Sequence, residues 1–337
     1  MSLRTGLLLI TSLFVLFVLD LTLGSVYIPP DEVFSILMGG TTDHTSWRQI
    51  ILDFRMPRAV TAVVVGGGLA VSGLEMQSLF RNPLAGPYVL GISTGASLGV
   101  AITVMTGISV GLSWLSPWFT ALSATLGAAL VFLLVIAVAG RVKDSMTLLI
   151  FGLMFGAAAG AIVSVLQFFS QAEDIQVYLL WTFGNLGGMT WDELSILIPT
   201  VMAGWLLAFL LAKSLNALLL GENYAASMGI HLRRSRYGII ISASLLTGCI
   251  TAFCGPIGFI GIAVPHLVRM ISPSSNHRSM LPAVTLAGAI ILLACDIISQ
   301  LPGSQHVLPI NAVTALVGAP VVIWIVIRRR NVKGVWS

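Results

Sequence analysis

Charge is scarce in this sequence. Only 9% of its 337 residues are Asp, Glu, Lys or Arg, where a soluble globular chain carries about 25%. That scarcity excludes a water-surrounded globular domain over most of the length. Cysteine is sparse too. Cys249, Cys254 and Cys295 all lie in apolar runs without metal-ligand spacing, so they read as small buried hydrophobes rather than as a zinc site or a disulfide framework. A phosphate-binding loop is missing: no G-x-x-x-x-G-K-[ST] occurs, and "VGGGLAVSG" has Val71 where the third glycine of a dinucleotide fingerprint would stand. If ATP drives this protein, another chain binds it. No nucleophile–base pair or metal cluster is visible, which ranks an enzyme last among the candidate classes. The pI near 9.2 does not indicate nucleic acid as a partner; in a chain this apolar the Lys and Arg excess reports orientation.

What the sequence has in abundance is apolar length. It is 57% hydrophobic with a mean hydropathy of +0.98, and apolar runs near twenty residues recur throughout, as in an all-α polytopic membrane protein. The runs are 6–26, 59–80, 88–108, 117–139, 146–168, 194–212, 238–255, 257–271, 281–299 and 309–327. The first is a span rather than a cleaved leader, because "TLGS" is a poor cleavage site and further spans follow. Residues 238–271 would make one helix of about 51 Å against a hydrocarbon core of about 30 Å. "CGPIGF" interrupts them, and Pro256 cannot continue a helix undisturbed, so two spans are expected, the second short or partly re-entrant.

Ten spans with the N-terminus inside place both termini in the cytoplasm and sort the basic residues. Arg4, Arg81, Arg141, Lys143, Lys213, Arg233, Arg234, Arg236, Arg269, Arg278, Arg328, Arg329, Arg330 and Lys333 fall inside; only Arg48, Arg55 and Arg58 fall outside. The outer loops carry Asp31, Glu32, Asp43, Asp53, Glu173, Asp174, Asp192 and Glu193. The longest polar stretches, 28–58, 170–193 and 213–237, are too short for a domain, so residues 1–337 form a single transmembrane domain.

Three segments are informative. "GENYAASMGIHLRRSR", Gly221 to Arg236, is the longest cytoplasmic interruption and reads as one or two short helices broken at Gly229, either an ordinary basic loop or a docking knob for a cytoplasmic partner. In "FGLMFGAAAGA", Gly152, Gly156 and Gly160 fall four apart on one helix face, which suits either close helix packing or room along a pathway. "RNPLAGPYVLGISTGAS" and "CGPIGFIGIAVPHLVR" mix Pro, Gly and apolar residues at membrane depth. Irregular backbone there is tolerated only inside protein or beside a cavity, which favours a transporter over an inert anchor.

"RMPR", "GGGLAVSGLEMQSLFRNPLAGPYVLGISTGAS", "GPIGFIGIAVPHLVR" and "LPINAVTALVGAP" together resemble the permease subunits of ABC importers for iron siderophores, haem and cobalamin, in the same order from residue 55 to 320. The resemblance implies a type II ABC importer permease fold of about ten helices in a bacterial inner membrane. It implies no cofactor on this chain, ATP and Mg in two partner ATPases, a second permease subunit, identical or related, a periplasmic binding protein, and a bulky iron chelate, haem or cobalamin as cargo. It also implies roles by position. Arg55 and Arg58, with Arg48 as a weaker candidate, would receive acidic residues of the binding protein. Gly221, Glu222, Ala226, Met228, Gly229 and Arg233 would belong to the ATPase coupling segment. Ser145, Met146 and Thr147 would form the cytoplasmic gate, with the Gly152, Gly156, Gly160 face beside the pathway. Two departures stand out. "AASMG" has Ala226 where similar permeases often carry Arg, which shifts the ATPase contact towards Glu222, Met228 and Arg233. Before the last span, Val307 and Asn311 replace the usual Glu and Gly of "ELPVG".

Asp20, Glu75 and Asp296 lie in or near apolar runs, where carboxylates are costly and often functional. Structural pairing is expected for Asp296; Asp20 could reach water, and Glu75 either faces the pathway or turns towards the inner surface. These three acids define the rival function, an ion-coupled secondary transporter. His44, His231, His266, His277 and His306 show no pair at helical spacing, so haem ligation by this chain is not expected.

Overall fold

The computed structural model describes residues 3–40, 44–106, 117–142, 145–272, 274–304 and 306–328. Asp43, Lys143, Arg329, Arg330 and Lys333, assigned to sides above, lie outside these residues, as does the end of the 88–108 run. In chain order the helices are α1 (Leu3–Thr22), α2 (Pro30–Leu37), α3 (Thr45–Gln49), α4 (Met56–Leu79), α5 (Ile92–Met105), α6 (Pro117–Ala139), α7 (Ser145–Phe169), α8 (Ala172–Thr182), α9 (Trp191–Leu210), α10 (Ala212–Leu219), α11 (Glu222–Ser227), α12 (Leu232–Cys254), α13 (Ile260–Ile271), α14 (His277–Ser299) and α15 (Ile310–Arg328). A π-helical turn, Ile50–Arg55, leads into α4, and a 3-10 turn, Pro87–Leu90, leads into α5. Each of the ten apolar runs falls on a helix. Among the described residues seven helices are long and apolar enough to cross a membrane, and Ile92–Met105, Ile260–Ile271 and Ile310–Trp324 are shorter apolar helices.

The bundle is arranged around α4. From Ala59 to Leu79 this helix is buried almost without interruption, including Gly66, Gly67, Gly68, Ser72 and Gly73, which is what an all-round apolar sequence demands. Its glycines let neighbouring backbones touch. A Cβ on Gly66 would lie 2.4 Å from the carbonyl oxygen of Gly288 on α14, and one on Gly73 would lie 1.8 Å from that of Gly261 on α13. α9 and α12 close the remaining sides, and α1 packs on α14. Because backbone rather than a flexible side chain faces Gly73, Gly73→Val is expected to prevent assembly of the bundle, seen as loss of monodisperse protein after detergent extraction.

The break between α12 and α13 is as expected, and its backbone is held by protein groups. Gly255 (φ 72°) and Phe259 (φ 66°) turn the chain. Ile257 exchanges two hydrogen bonds with the Tyr88 hydroxyl, its N–H donating at 3.0 Å and its carbonyl accepting. Gly258 N–H donates to Asn311 Oδ1 at 3.0 Å, and Asn185 N–H donates to the Cys254 carbonyl at 2.9 Å. Asn311, the residue that departs from the usual Gly, thus supplies an acceptor that glycine could not. α13, at 12 residues, spans about 18 Å and does not cross a bilayer alone.

The polar stretches are more ordered than their composition suggests: α2 and α3 lie in 28–58 and α8 in 170–193. α9 begins with a capping box, in which Thr190 N–H donates to Glu193 Oε2 at 2.8 Å and Glu193 N–H donates to Thr190 Oγ1 at 3.4 Å. Glu193 is therefore a buried cap rather than a loop charge.

Candidate functional site

Two polar clusters sit at opposite ends of α4. The first gathers the start of α7, the end of α4 and the α10–α12 segment. Gly221 (φ 108°) turns the chain from α10 into α11, and Gly229 (φ 79°) ends α11 with Ile230 N–H donating to the Ala225 carbonyl at 3.1 Å. Ala225 is fully buried and plugs α11 into the bundle, while Tyr224, Ala226, Met228 and Arg233 are exposed. The Arg233 guanidinium lies 5.7 Å from the centre of the Tyr237 ring.

Glu222, the first residue of α11, turns the other way. Its Oε1 accepts from Ser145 Oγ at 2.6 Å and from Arg236 Nη2 at 3.1 Å. Arg236 is buried on α12 and also donates through Nη1 to the Val142 carbonyl at 2.9 Å. One carboxylate oxygen thus joins the exposed short helix to the first residue of α7 and to α12, through charge-assisted hydrogen bonds. A cavity of about 510 Å³ opens beside it, lined by Arg81, Ser145, Met146, Gly221, Glu222 and Tyr224 among others. Of the sequence-predicted coupling and gate residues, Gly221, Glu222, Ser145 and Met146 meet here, whereas Thr147, Ala226, Met228, Gly229 and Arg233 do not line the cavity. Arg81 was assigned only a side; it adopts φ 46° at the end of α4, and its Nη1 would lie 3.4 Å from a Cβ on Gly221.

The glycine face of α7 divides. A Cβ on Gly152 would lie 2.2 Å from the Val89 carbonyl oxygen, so this position is packing; one on Gly156 would lie 3.4 Å from Thr94 Oγ1, and one on Gly160 would meet no described atom of another element within 4 Å. Thr147 and Met146 are exposed at the start of the helix.

The second cluster is built on Arg55 and Arg58. Arg55 is 7% exposed. Its Nη1 donates to the Leu21 and Thr22 carbonyls at 2.8 and 3.0 Å, and its Nη2 donates to the Val26 carbonyl. These include the last carbonyls of α1, which have no partner within the helix, so Arg55 caps α1 and its guanidinium does not stand at the rim. Arg58 pairs with Asp296 of α14 in fork geometry, Nε to Oδ2 and Nη2 to Oδ1 both at 2.8 Å, and also donates to Ser299 Oγ at 3.1 Å. Gln300 Nε2 bridges Asp20 Oδ1 at 2.9 Å and Asp296 Oδ2 at 3.0 Å. Arg58 borders two open cavities of about 290 and 350 Å³. Arg48, on α3, is exposed.

Glu75 is fully buried, with Oε2 accepting from Ser242 Oγ at 3.0 Å. It lies 17 residues beyond Arg58 on α4, about 26 Å along the axis, so Asp20, Glu75 and Asp296 do not form a continuous relay. His266 Nε2 contacts the Pro83 carbonyl at 3.0 Å, and His277 sits between Ser78 and Asn216 at 2.7 and 2.8 Å. No three of His, Cys, Asp and Glu converge to hold an ion among the described residues.

A buried polytopic bundle with irregular backbone at membrane depth and an exposed helical knob bonded to a span is the architecture of a transport permease. The model of the FecCD transport family matches residues 12–328, and the chain belongs to that family. It is 34% identical over 298 residues to the hemin transport system permease protein HmuU of Yersinia pestis, covering 88% of this chain and 89% of that one. It is 36% identical over 320 residues to the vitamin B12 import system permease protein BtuC of Klebsiella pneumoniae, covering 95% and 92%. A solved structure of an inward-facing putative metal-chelate type ABC transporter superposes with a TM-score of 0.85 at 27% identity, over 97% of this chain and all of that one. The protein is thus a multi-pass inner-membrane permease of the ABC class, not an enzyme; ATP hydrolysis belongs to a separate subunit.

Proposed function

We propose that this chain is the permease of an ABC importer that passes an iron chelate, either a ferric siderophore or haem, or cobalamin from periplasm to cytoplasm. The observation that carries the proposal is the Glu222 junction, because it gives an exposed helix a direct grip on the first residue of α7. In this scheme α11 seats in a partner ATPase through Tyr224 and Met228. ATP and Mg are bound by that partner, and its closure moves α11, which pulls on α7 and α12 through Glu222. The cycle needs ligands that favour one state over the other: ATP on the inner side and the loaded binding protein on the outer. The α11 end and both termini are cytoplasmic by the positive-inside rule. A second permease subunit faces the open part of α7 near Gly160, and the passage between the two needs only low affinity for its bulky cargo. The iron, haem and cobalamin classes are supported by the relatives named above, which transport hemin or vitamin B12 or are of metal-chelate type.

A Met228→Cys variant co-expressed with its ATPase tests the inner contact: a thiol cross-linker is expected to join the two chains, and the absence of any cross-link in an ATP-hydrolysing complex contradicts it. On the outer side, docking falls to exposed Arg48, because the Arg58 guanidinium is already engaged by Asp296 and Ser299. Arg48→Glu is expected to weaken binding-protein association, most clearly at low salt, without changing thermal stability; titration by light scattering or calorimetry checks both.

A further inference from the structure

We propose that a lateral slot between α6 and α9, floored by α12, holds one acyl chain of a bilayer lipid as an intramembrane ligand. α6 and α9 both pack on α12 and leave between them an open cavity of about 380 Å³. Its walls include Ala129 and Phe132 of α6, Thr200 of α9, and Leu245, Gly248 and Cys249 of α12. These positions fall in the middle of their helices, at the depth of the hydrocarbon. The surface on either side is apolar and exposed, with Leu126 and Leu133 on α6 and Met202 and Leu206 on α9, so the slot opens to lipid tails and not to water.

Chemistry selects the guest. Among the described residues no charged side chain lines the slot. The hydroxyls of Thr125 and Thr200 already donate to the Ala121 and Ile196 carbonyls, both at 2.7 Å, and so have no proton left for a polar ligand, only lone pairs. Ser244 also lines the slot, and its buried hydroxyl has no hydrogen-bond partner. At about 30 Å³ per group, the volume share of one water, the space takes roughly a dozen methylenes, most of one acyl chain. A helix, about 10 Å across, does not fit, which excludes a span of a second copy. Filling the slot replaces a void with dispersion contacts. The floor of the slot is the same helix that carries Arg236 to the Glu222 junction, so the guest braces the helix through which α11 is anchored. The inference rests on the membrane-spanning fold alone and not on the cargo or the direction of transport.

Ala129 is exposed on the wall of the slot, and Leu126, one turn away, is exposed outside it. The full-length protein is reconstituted in phosphatidylethanolamine and phosphatidylglycerol vesicles containing a trace of phosphatidylcholine with a mid-chain diazirine, then irradiated. Labelling is expected to concentrate on Thr200, Leu245 and Phe253. Ala129→Trp is expected to reduce it about tenfold, the ratio that 1.4 kcal/mol of lost contacts gives. Leu126→Trp and Ser244→Ala are expected to leave it unchanged, because a hydrocarbon tail makes no hydrogen bond. Even labelling around the lipid-facing surface, or insensitivity to Ala129→Trp, overturns the proposal. Loss of labelling in Ser244→Ala overturns the acyl chain in favour of a guest that uses the hydroxyl.

Discussion

Glu222→Ala is expected to lower ATP-driven uptake about tenfold while the assembled complex continues to hydrolyse ATP. The substitution removes the one oxygen that accepts from both Ser145 and Arg236. Hydrogen bonds to charged groups contribute about 1.5–3 kcal/mol when buried. The Glu222 side chain is 29% exposed, so solvent screening reduces the sum for the pair to about 1–2 kcal/mol. A factor of ten corresponds to about 1.4 kcal/mol, so a loss of this size moves the coupling by about one decade. Glu222→Gln retains an acceptor without the charge and is expected to fall between wild type and Ala. Parallel measurement of uptake and hydrolysis in proteoliposomes decides the matter. Unchanged uptake in Glu222→Ala removes the junction from the mechanism, and equal loss of both activities makes Glu222 a docking residue instead.

Asp296→Ala is expected to produce the largest loss of stability among single substitutions of polar groups in this chain. It leaves the Arg58 guanidinium, whose side chain is 16% exposed, without its fork partner at the end of the bundle. Removing one member of a buried pair costs about 3–5 kcal/mol, whereas replacing both by apolar groups is often neutral. The Asp296→Leu, Arg58→Met double variant is therefore expected to recover most of the thermal midpoint that Asp296→Ala loses, measured by melting in detergent. A midpoint in Asp296→Ala equal to wild type would show that the pair contributes nothing to the fold.

These two sites mark the boundary of what hydropathy conveys. Ten apolar runs were legible because a span announces itself within its own twenty residues, and the α12–α13 break was legible because Pro256 and its glycines punctuate the run. The inward turn of Arg55 and Arg58 was not. A one-dimensional profile sees basic residues beside an apolar run but not the α1 carbonyls or an aspartate 238 residues away. The two arginines tolerate this end of the bundle because the chain itself supplies their acceptors. Glu222 was named for the coupling segment from local sequence, yet its partner Ser145 lies 77 residues off, and only the fold brings them together. The short helices α2, α3 and α8 escaped notice because each is too short, at 8, 5 and 11 residues, to stand out in a polar stretch. The Thr190–Glu193 capping box at α9 was a local signal that the sequence did display. Asn311 registered as a departure from the family pattern, and its use became clear only with Gly258 N–H opposite it.

In the proposed function this chain is a passage moved from outside itself. The direct test is uptake of a radiolabelled ferric chelate, haem or cobalamin by proteoliposomes holding the permease with its ATPase and binding protein, with and without internal ATP, and then with an imposed proton or sodium gradient and no ATP. Accumulation that requires ATP and survives an ionophore is the predicted result. Accumulation by the permease alone under an ion gradient contradicts it.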